Sequence, residues 1–336
     1  MQHLILPKDY HSELDIRETE VAIKLVKDYF ERKLAEELCL TRVSAPLFVV
    51  PSTGLNDNLN GHERAVSFGI REQNELNCEI VHSLAKWKRQ ALSRYGFRKG
   101  EGLYTDMNAI RREEDTDNLH SLYVDQWDWE KIIGAEERTV ETLKAVVNQL
   151  YSVLKATETF VCGKYAFLQP FLPEKITFIT SQELLERYPD LDAKGRERAA
   201  AMEYGAVFLM QIGGKLSNGA PHDGRAPDYD DWSLNGDILV YYPLLDIAVE
   251  LSSMGIRVNA EALQRQLLLA GCPERAQLPF QKALLEEGLP QTIGGGLGQS
   301  RICMLFLHKA HIGEVQSSVW PPEMVEACRA HGIELL

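Results

Sequence analysis

The chain has 336 residues, 45% hydrophobic and 25% charged, with a formal net charge of −13. That length suits one large catalytic domain or two small ones of ordinary globular composition, and no apolar run approaches the ~18 residues of a membrane helix. The acidic balance argues against a protein that tracks a nucleic-acid backbone, since its densest basic cluster is only Lys86-Trp87-Lys88-Arg89.

The stretch from Met1 to Asp9 lacks a basic segment followed by an apolar core, so no secretory signal is expected. The six cysteines are scattered without a Cys-x-x-Cys pair and read as reduced core residues of a cytoplasmic protein. The nine histidines show neither His-Glu-x-x-His nor His-x-His. His82 and His120 are therefore read as hydrogen-bonded neighbours of a site rather than as ligands.

Residues 17–38 predict an amphipathic helix with Val21, Leu25, Tyr29, Phe30, Leu34 and Leu38 on its stripe. Thr41 to Val50 is β-rich but interrupted by Pro46, which cannot donate to a ladder and places the segment at a sheet edge or subunit boundary. A turn-rich stretch follows over 54–61, then a short strand from Glu79 to His82, and Ser83 is expected to cap a helix. Residues 102–130 predict a strand carrying Arg111, a charged loop from Arg112 to Asn118, and a second strand from His120 to Glu130. Alternation puts Val124, Gln126, Asp128 and Glu130 on one face of that strand and Tyr123, Asp125, Trp127 and Trp129 on the other. A row of polar groups opposite two tryptophans predicts a polar cup lined by the first face. Helices are expected over 140–160, after the capping box Thr180-Ser181-Gln182-Glu183, and from Asp192 to Tyr204 with Gly205 as its stop. Ala206–Ile212 and Asp237–Leu251 predict more strands, and Asn259 caps a helix to about Ala270.

The most informative stretch is Ile293-Gly294-Gly295-Gly296-Leu297-Gly298-Gln299-Ser300-Arg301. Glycines let a backbone pack tightly against a nucleotide, and a guanidinium in the first turn of the next helix can reach a triphosphate or lie on a purine. Turn-like Leu289-Pro290-Gln291 precedes the run, not the strand of a dinucleotide-binding unit. Strands cluster with helical insertions, so the expected class is α+β, with a mainly antiparallel sheet flanked by helices.

Taken together, these segments resemble the catalytic domain of class II aminoacyl-tRNA synthetases. Val43-x-x-Pro46-x-Phe48 is similar to their first, dimer-forming motif, Ile110-Arg111-Arg112-Glu113-Glu114-Asp115 to the second, and Gly294–Gly298 with Arg301 to the third. Ser83 and Lys88, Gln126-x-Asp128, and Glu250 to Arg257 resemble the aspartyl branch. Closer still is the likeness to ammonia-dependent asparagine synthetases, carried by His82–Arg89, Tyr123–Glu130, Arg225–Trp232 and Gln291–Gly296.

The resemblance implies one catalytic domain over 1–336 without an anticodon-binding domain. It implies conversion of L-aspartate, ammonia and ATP into asparagine, AMP and pyrophosphate through a β-aspartyl-adenylate, in a homodimer that binds neither nucleic acid nor membrane. Arg111 is then expected on the α-phosphate and the β-carboxylate, Arg301 on the adenine or γ-phosphate, and Glu113, Gly294, Gly295 and Gly296 around ATP. Asp237 and Glu250 are the expected Mg²⁺ ligands. Asp128, supported by Ser83, is expected on the aspartate ammonium, Lys88 and Arg257 on its carboxylates, and Ser253 nearby. Asp57 with Gln126 is expected to receive ammonium and take its proton, with Asp230 as the second candidate. The alternatives are a tRNA-charging aspartyl or asparaginyl enzyme, a glutamine-using synthetase, disfavoured because residue 2 is Gln rather than Cys, and a non-catalytic regulatory paralogue.

Overall fold

The computed structural model describes residues 4–57, 59, 63–286 and 288–336. Met1 and Gln2, and Asn58, Asn60 and Gly61 of the expected turn, lie outside the described residues. Asp15 starts the first helix, α1 (Ile16–Leu38): its side chain accepts the Glu18 amide while Glu18 accepts the Asp15 amide, satisfying two otherwise orphaned donors. The buried stripe runs through Ala22, Val26, Phe30, Leu34 and Leu38. Val21, expected on it, is exposed, because Phe30, stacked on Trp127 at 4.6 Å, turns the helix so that Val21 faces away.

Pro46 divides the β-rich run as its missing N–H requires. On one side β1 (Leu40–Arg42) forms the edge of the main sheet; on the other, β2 (Phe48–Val49) joins β3 (Ser67–Ile70) and β4 (Leu76–Ile80) in a small sheet ordered β2-β4-β3. Then come α2 (Ala85–Arg94), β5 (Gly102–Ile110), β6 (Tyr123–Ile132), α3 (Val140–Cys162), β7 (Thr177–Thr180), α4 (Ser181–Arg187) and α5 (Ala193–Tyr204). They are followed by β8 (Ala206–Met210), β9 (Asp230–Tyr242), β10 (Ile247–Arg257), α6 (Ala260–Leu269), α7 (Pro279–Leu285), β11 (Thr292–Gly298), α8 (Gln299–Phe306) and α9 (Pro322–Ala330). Thr180, Asp192 and Asn259 cap α4, α5 and α6 as their side chains predict. Ser83 does not cap α2 itself: Leu84 holds that position, and the Ser83 hydroxyl accepts the Ala85 amide at 3.1 Å.

The main eight-stranded sheet, of the described residues, runs β1-β5-β6-β11-β10-β9-β8-β7. It is antiparallel except where β1 meets β5 and β7 meets β8. Asp237–Leu251 spans parts of the β9–β10 hairpin, which begins earlier and ends later than the sequence suggests. Trp127 and Trp129 are fully buried in the apolar cluster that α1, α3 and α8 share with one face of this sheet. The other face of the same strands is left to polar side chains. Among the described residues no helix is long and apolar enough to cross a membrane.

Candidate active site

The glycine run is not a loop. Gly294, Gly295, Gly296 and Gly298 lie in β11, and none has a positive φ. Their role is to have no side chain. Gly294, Gly296 and Gly298 pair with Glu130, Asp128 and Gln126 of β6. A Cβ on Gly294 would fall on Glu130 Oε2 and stand 2.6 Å from Arg257 Nη2; one on Gly296 would fall on Gln126 Oε1. The bare strand lets charged groups of both neighbouring strands lean over it, and these form the floor of a cavity of about 400 Å³.

On that floor, Arg257 closes β10. Its Nε and Nη2 donate to the Glu130 carboxylate at 3.0 and 2.8 Å, and its Nη1 to Asp230. This leaves one N–H on each terminal nitrogen. Burial pushes the Glu130 carboxyl up, but Arg257 and Lys88 outweigh it and hold the group below its usual range. Lys88 has no exposed surface, and its Nζ donates to Asp128, to the Trp129 carbonyl at 2.8 Å and to the Gly295 carbonyl at 3.2 Å. All three ammonium protons are thus spent beneath the floor, where the sequence predicts a lysine reaching substrate. Asp128 lines the cavity, and its Oδ2 has no hydrogen-bond partner among the described residues. Burial raises its pKa against the pull of Lys88.

Arg111 lies just past the end of β5, its amide bonded to the Leu122 carbonyl at 2.9 Å. Arg301 stands in the first turn of α8 and donates to the Glu250 carbonyl at 2.9 Å. Both line the cavity, as does Glu113, whose Oε1 accepts from Arg64 at 2.6 Å. Arg225, a cavity residue with no role foreseen in its octet, pairs with Asp237 Oδ2. Asp237 Oδ1 has no partner among the described residues. Burial, opposed by Arg225 and reinforced by Glu250, pushes Asp237 up to about 7. Burial also raises Glu250, but Arg301, Arg225 and Lys194 outweigh it and keep this carboxyl below its ordinary value.

Elsewhere in the lining, Asn56 ties down Asp57. Its Oδ1 accepts the amides of Asp57 at 3.0 Å and His82 at 2.9 Å, and its Nδ2 donates to Glu79 at 3.0 Å. The His82 Nδ1 lies 3.1 Å from the Asp57 carbonyl. Asp57 is buried, and burial raises its pKa, with Lys86 opposing and Asp228 adding. Lys86, also buried, pairs with Asp228 at 3.0 Å, and Gln281 of α7 donates to the same oxygen at 2.6 Å.

Of the residues singled out from sequence, Asp57, Ser83, Arg111, Glu113, Gln126, Asp128 and Asp230 line this one cavity, with Glu250, Ser253, Arg257, Gly295, Gly296 and Arg301. Lys88, Gly294 and Asp237 do not line it. His82 and His120 do, each with a hydrogen-bonded neighbour, Asp57 and Asp117 respectively. Arg225 lines the cavity without having been singled out, its presence in the Arg225–Trp232 block being the available signal, while the buried Lys86–Asp228 pair lies outside the lining.

The sequence matches the family model for aspartate-ammonia ligase over residues 17–332. The aspartate–ammonia ligase of Clostridium perfringens (strain SM101 / Type A) is 64% identical over 336 residues, the whole of both chains. That of Fusobacterium nucleatum subsp. nucleatum is 62% identical, covering 97% of this chain and 99% of the relative. Among solved structures, asparaginyl-tRNA synthetase from Pyrococcus horikoshii complexed with asparaginyl-adenylate superposes with a TM-score of 0.64 at 15% identity, over 90% of this chain and 70% of that one. The aspartyl tRNA synthetase from Entamoeba histolytica gives 0.61 at 15% identity, over 91% of this chain and 59% of that one. These two likenesses are of fold: the architecture is that of class II synthetase catalytic domains.

Proposed function

The chain belongs to the aspartate–ammonia ligase family of ATP-dependent ligases, and we propose that the cavity over β6, β11 and β10 activates aspartate as its β-adenylate and then admits ammonia. The ligase activity is common to relatives identical over 60% of full-length chains. Neither tRNA charging nor a non-catalytic role is favoured beside it.

A carboxylate does not accept an amine unaided, because its leaving group would be oxide. Transfer of AMP to the β-carboxylate supplies a better one, and the protein must align that oxygen with the α-phosphorus and offset the charge that develops. The observation that carries this reading is the division of charge in the cavity. Asp128 offers a carboxylate oxygen without a partner among the described residues, beside the remaining N–H groups of Arg257, while Arg111 and Arg301 line the same cavity. Asp128, with Ser83, takes the aspartate ammonium; Arg257 and Ser253 take the α-carboxylate; Lys88 acts through Asp128, holding it in place. Asp230 holds Arg257. Arg111 spans the β-carboxylate and α-phosphate, Arg301 covers the adenine or γ-phosphate, and Glu113 with the β11 backbone borders ATP. Val124, where an adenine-stacking aromatic stands in the aspartyl synthetases, supplies an aliphatic surface to the cavity.

Two neighbouring carboxylates, one with a buried oxygen that has no partner among the described residues, suit Mg²⁺, which binds through one or two carboxylates plus substrate phosphates. Glu250 and Asp237 would hold it. Among the described residues no three metal-ligating side chains gather, so phosphate oxygens would complete the set. The ion would neutralise phosphate charge during transfer.

Asp57 receives ammonium with Gln126 and accepts a proton from it. Its raised pKa supports a base rather than an inert carboxylate. The whole chain acts as one catalytic domain, in a cytoplasmic homodimer joined near Pro46. Asp57→Ala tests the reading: aspartate-dependent ATP–pyrophosphate exchange should persist while asparagine formation falls about 100-fold or more. Equal loss of both activities would refute the role given to Asp57.

A further inference from the structure

We infer that His82 is a second proton acceptor for the incoming ammonia, working beside Asp57. The inference rests on the Asp57 reading and extends it. His82 is almost fully buried, it lines the cavity, and the Asn56 side chain anchors its backbone amide. Its Nδ1 lies 3.1 Å from the backbone carbonyl of Asp57. A carbonyl oxygen can only accept, so Nδ1 carries the hydrogen, and in the neutral ring Nε2 bears a lone pair. That Nε2 has no hydrogen-bond partner among the described residues. A buried polar atom without a partner is costly and calls for an explanation; here it belongs to the residue bonded directly to Asp57.

The reaction requires two acceptors. Ammonium gives one proton to the Asp57 carboxylate and becomes the nucleophile. Its nitrogen then bonds to the β-carbonyl carbon, the bond from that carbon to the AMP oxygen breaks, and the electron pair leaves with AMP. The nitrogen, now bearing three hydrogens and a positive charge, must lose a second proton to become an amide. Asp57 is already protonated at that stage. The Nε2 lone pair of His82 takes the second proton, and the Asp57 carbonyl accepting from Nδ1 stabilises the imidazolium that results. Before the reaction, the same two acceptors hold a tetrahedral ammonium better than a single carboxylate does.

His82→Asn separates this role from a structural one. The Asn amide keeps an N–H close to where Nδ1 stands, so it retains the bond to Asp57, and it removes the Nε2 end. Asparagine formation at saturating ammonium should fall about 100-fold, while pyrophosphate exchange changes less than about threefold. Hydroxylamine, already neutral at neutral pH, has one proton fewer to lose, so aspartyl-hydroxamate formation should be largely spared. Unchanged asparagine formation overturns the inference. So does a parallel loss of exchange or of hydroxamate formation, which would make His82 structural. Normal asparagine formation in Asp57→Ala together with its loss in His82→Asn would sink the Asp57 reading and with it the pairing of two acceptors, while the reverse pair of results would overturn the role of His82 and leave the Asp57 reading standing.

Discussion

Lys88 shows what burial does to a residue whose type invites a different role. In sequence it is a helix lysine at a spacing that suits substrate recognition. In the folded chain, every ammonium proton is engaged with Asp128 or with the carbonyls of Trp129 and Gly295. In the proposed reading the residue acts one step removed, by fixing Asp128. Asp237 carries the opposite lesson. Its carboxyl, raised by burial from 3.8 to about 7, is held more firmly protonated in the native state than in the unfolded chain. Its contribution to stability is accordingly present at low pH and is lost as pH rises from about 4 through about 7. Metal binding has the reverse sign, because an ion must displace that proton. The increase in melting temperature that Mg²⁺ and ATP give together should be larger at about pH 8 than at about pH 6, and Asp237→Asn should flatten this difference. A shift independent of pH in the wild-type protein would remove Asp237 from the proposed metal site. Residue types were legible as chemistry, but which oxygen lacks a partner among the described residues was not, since that depends on Lys88, 40 positions from Asp128, and on Arg225, 12 positions from Asp237.

At the scale of elements, β11 is a strand that its composition does not announce. Glycine has weak strand propensity, so a run of it reads as a turn wherever local preference decides. Here pairing with β6 on one side and β10 on the other overrides that preference, because side chains from both neighbours need the space above the strand. Gly294→Ala would place a methyl against the Glu130 carboxylate, which Arg257 pins in a fully buried ion pair. Overpacking of this kind should cost about 1–3 kcal/mol in urea unfolding. Gly296→Ala meets the end of the Gln126 side chain, which can swing away, so it should lose asparagine formation out of proportion to stability. Equal stability losses in the two variants would refute this distinction between a pinned and a movable neighbour. The alternation of β6 was legible because the two tryptophans demand one side for burial, which hands the acids to the other. The small sheet escaped notice in part: β3 and β4 are joined through Asn74 and Glu75, both in the left-handed region, and expose much of their surface.

For the whole molecule, the small sheet presents Leu47, Phe48 and Phe68 to solvent, with the two phenylalanine rings edge to face at 5.0 Å. Adjacent apolar residues of this size suit a protein contact, and they flank the segment at Pro46 on which the dimer proposal stands. Sedimentation velocity should show a pair of chains, and Phe48→Glu combined with Phe68→Glu should yield single chains; a wild-type monomer would end that proposal. The sequence by itself determined the α+β class, most helix starts, the two-faced β6 and the family, because capping, alternation and motif composition are properties of neighbours along the chain. Only the tertiary structure decided that Lys88 lies beneath the floor, that the glycines form a strand, and that His82, bonded to the Asp57 carbonyl, keeps one nitrogen without a partner among the described residues. Each of those depends on burial and on partners brought together by sheet register, and neither quantity exists until the chain has folded.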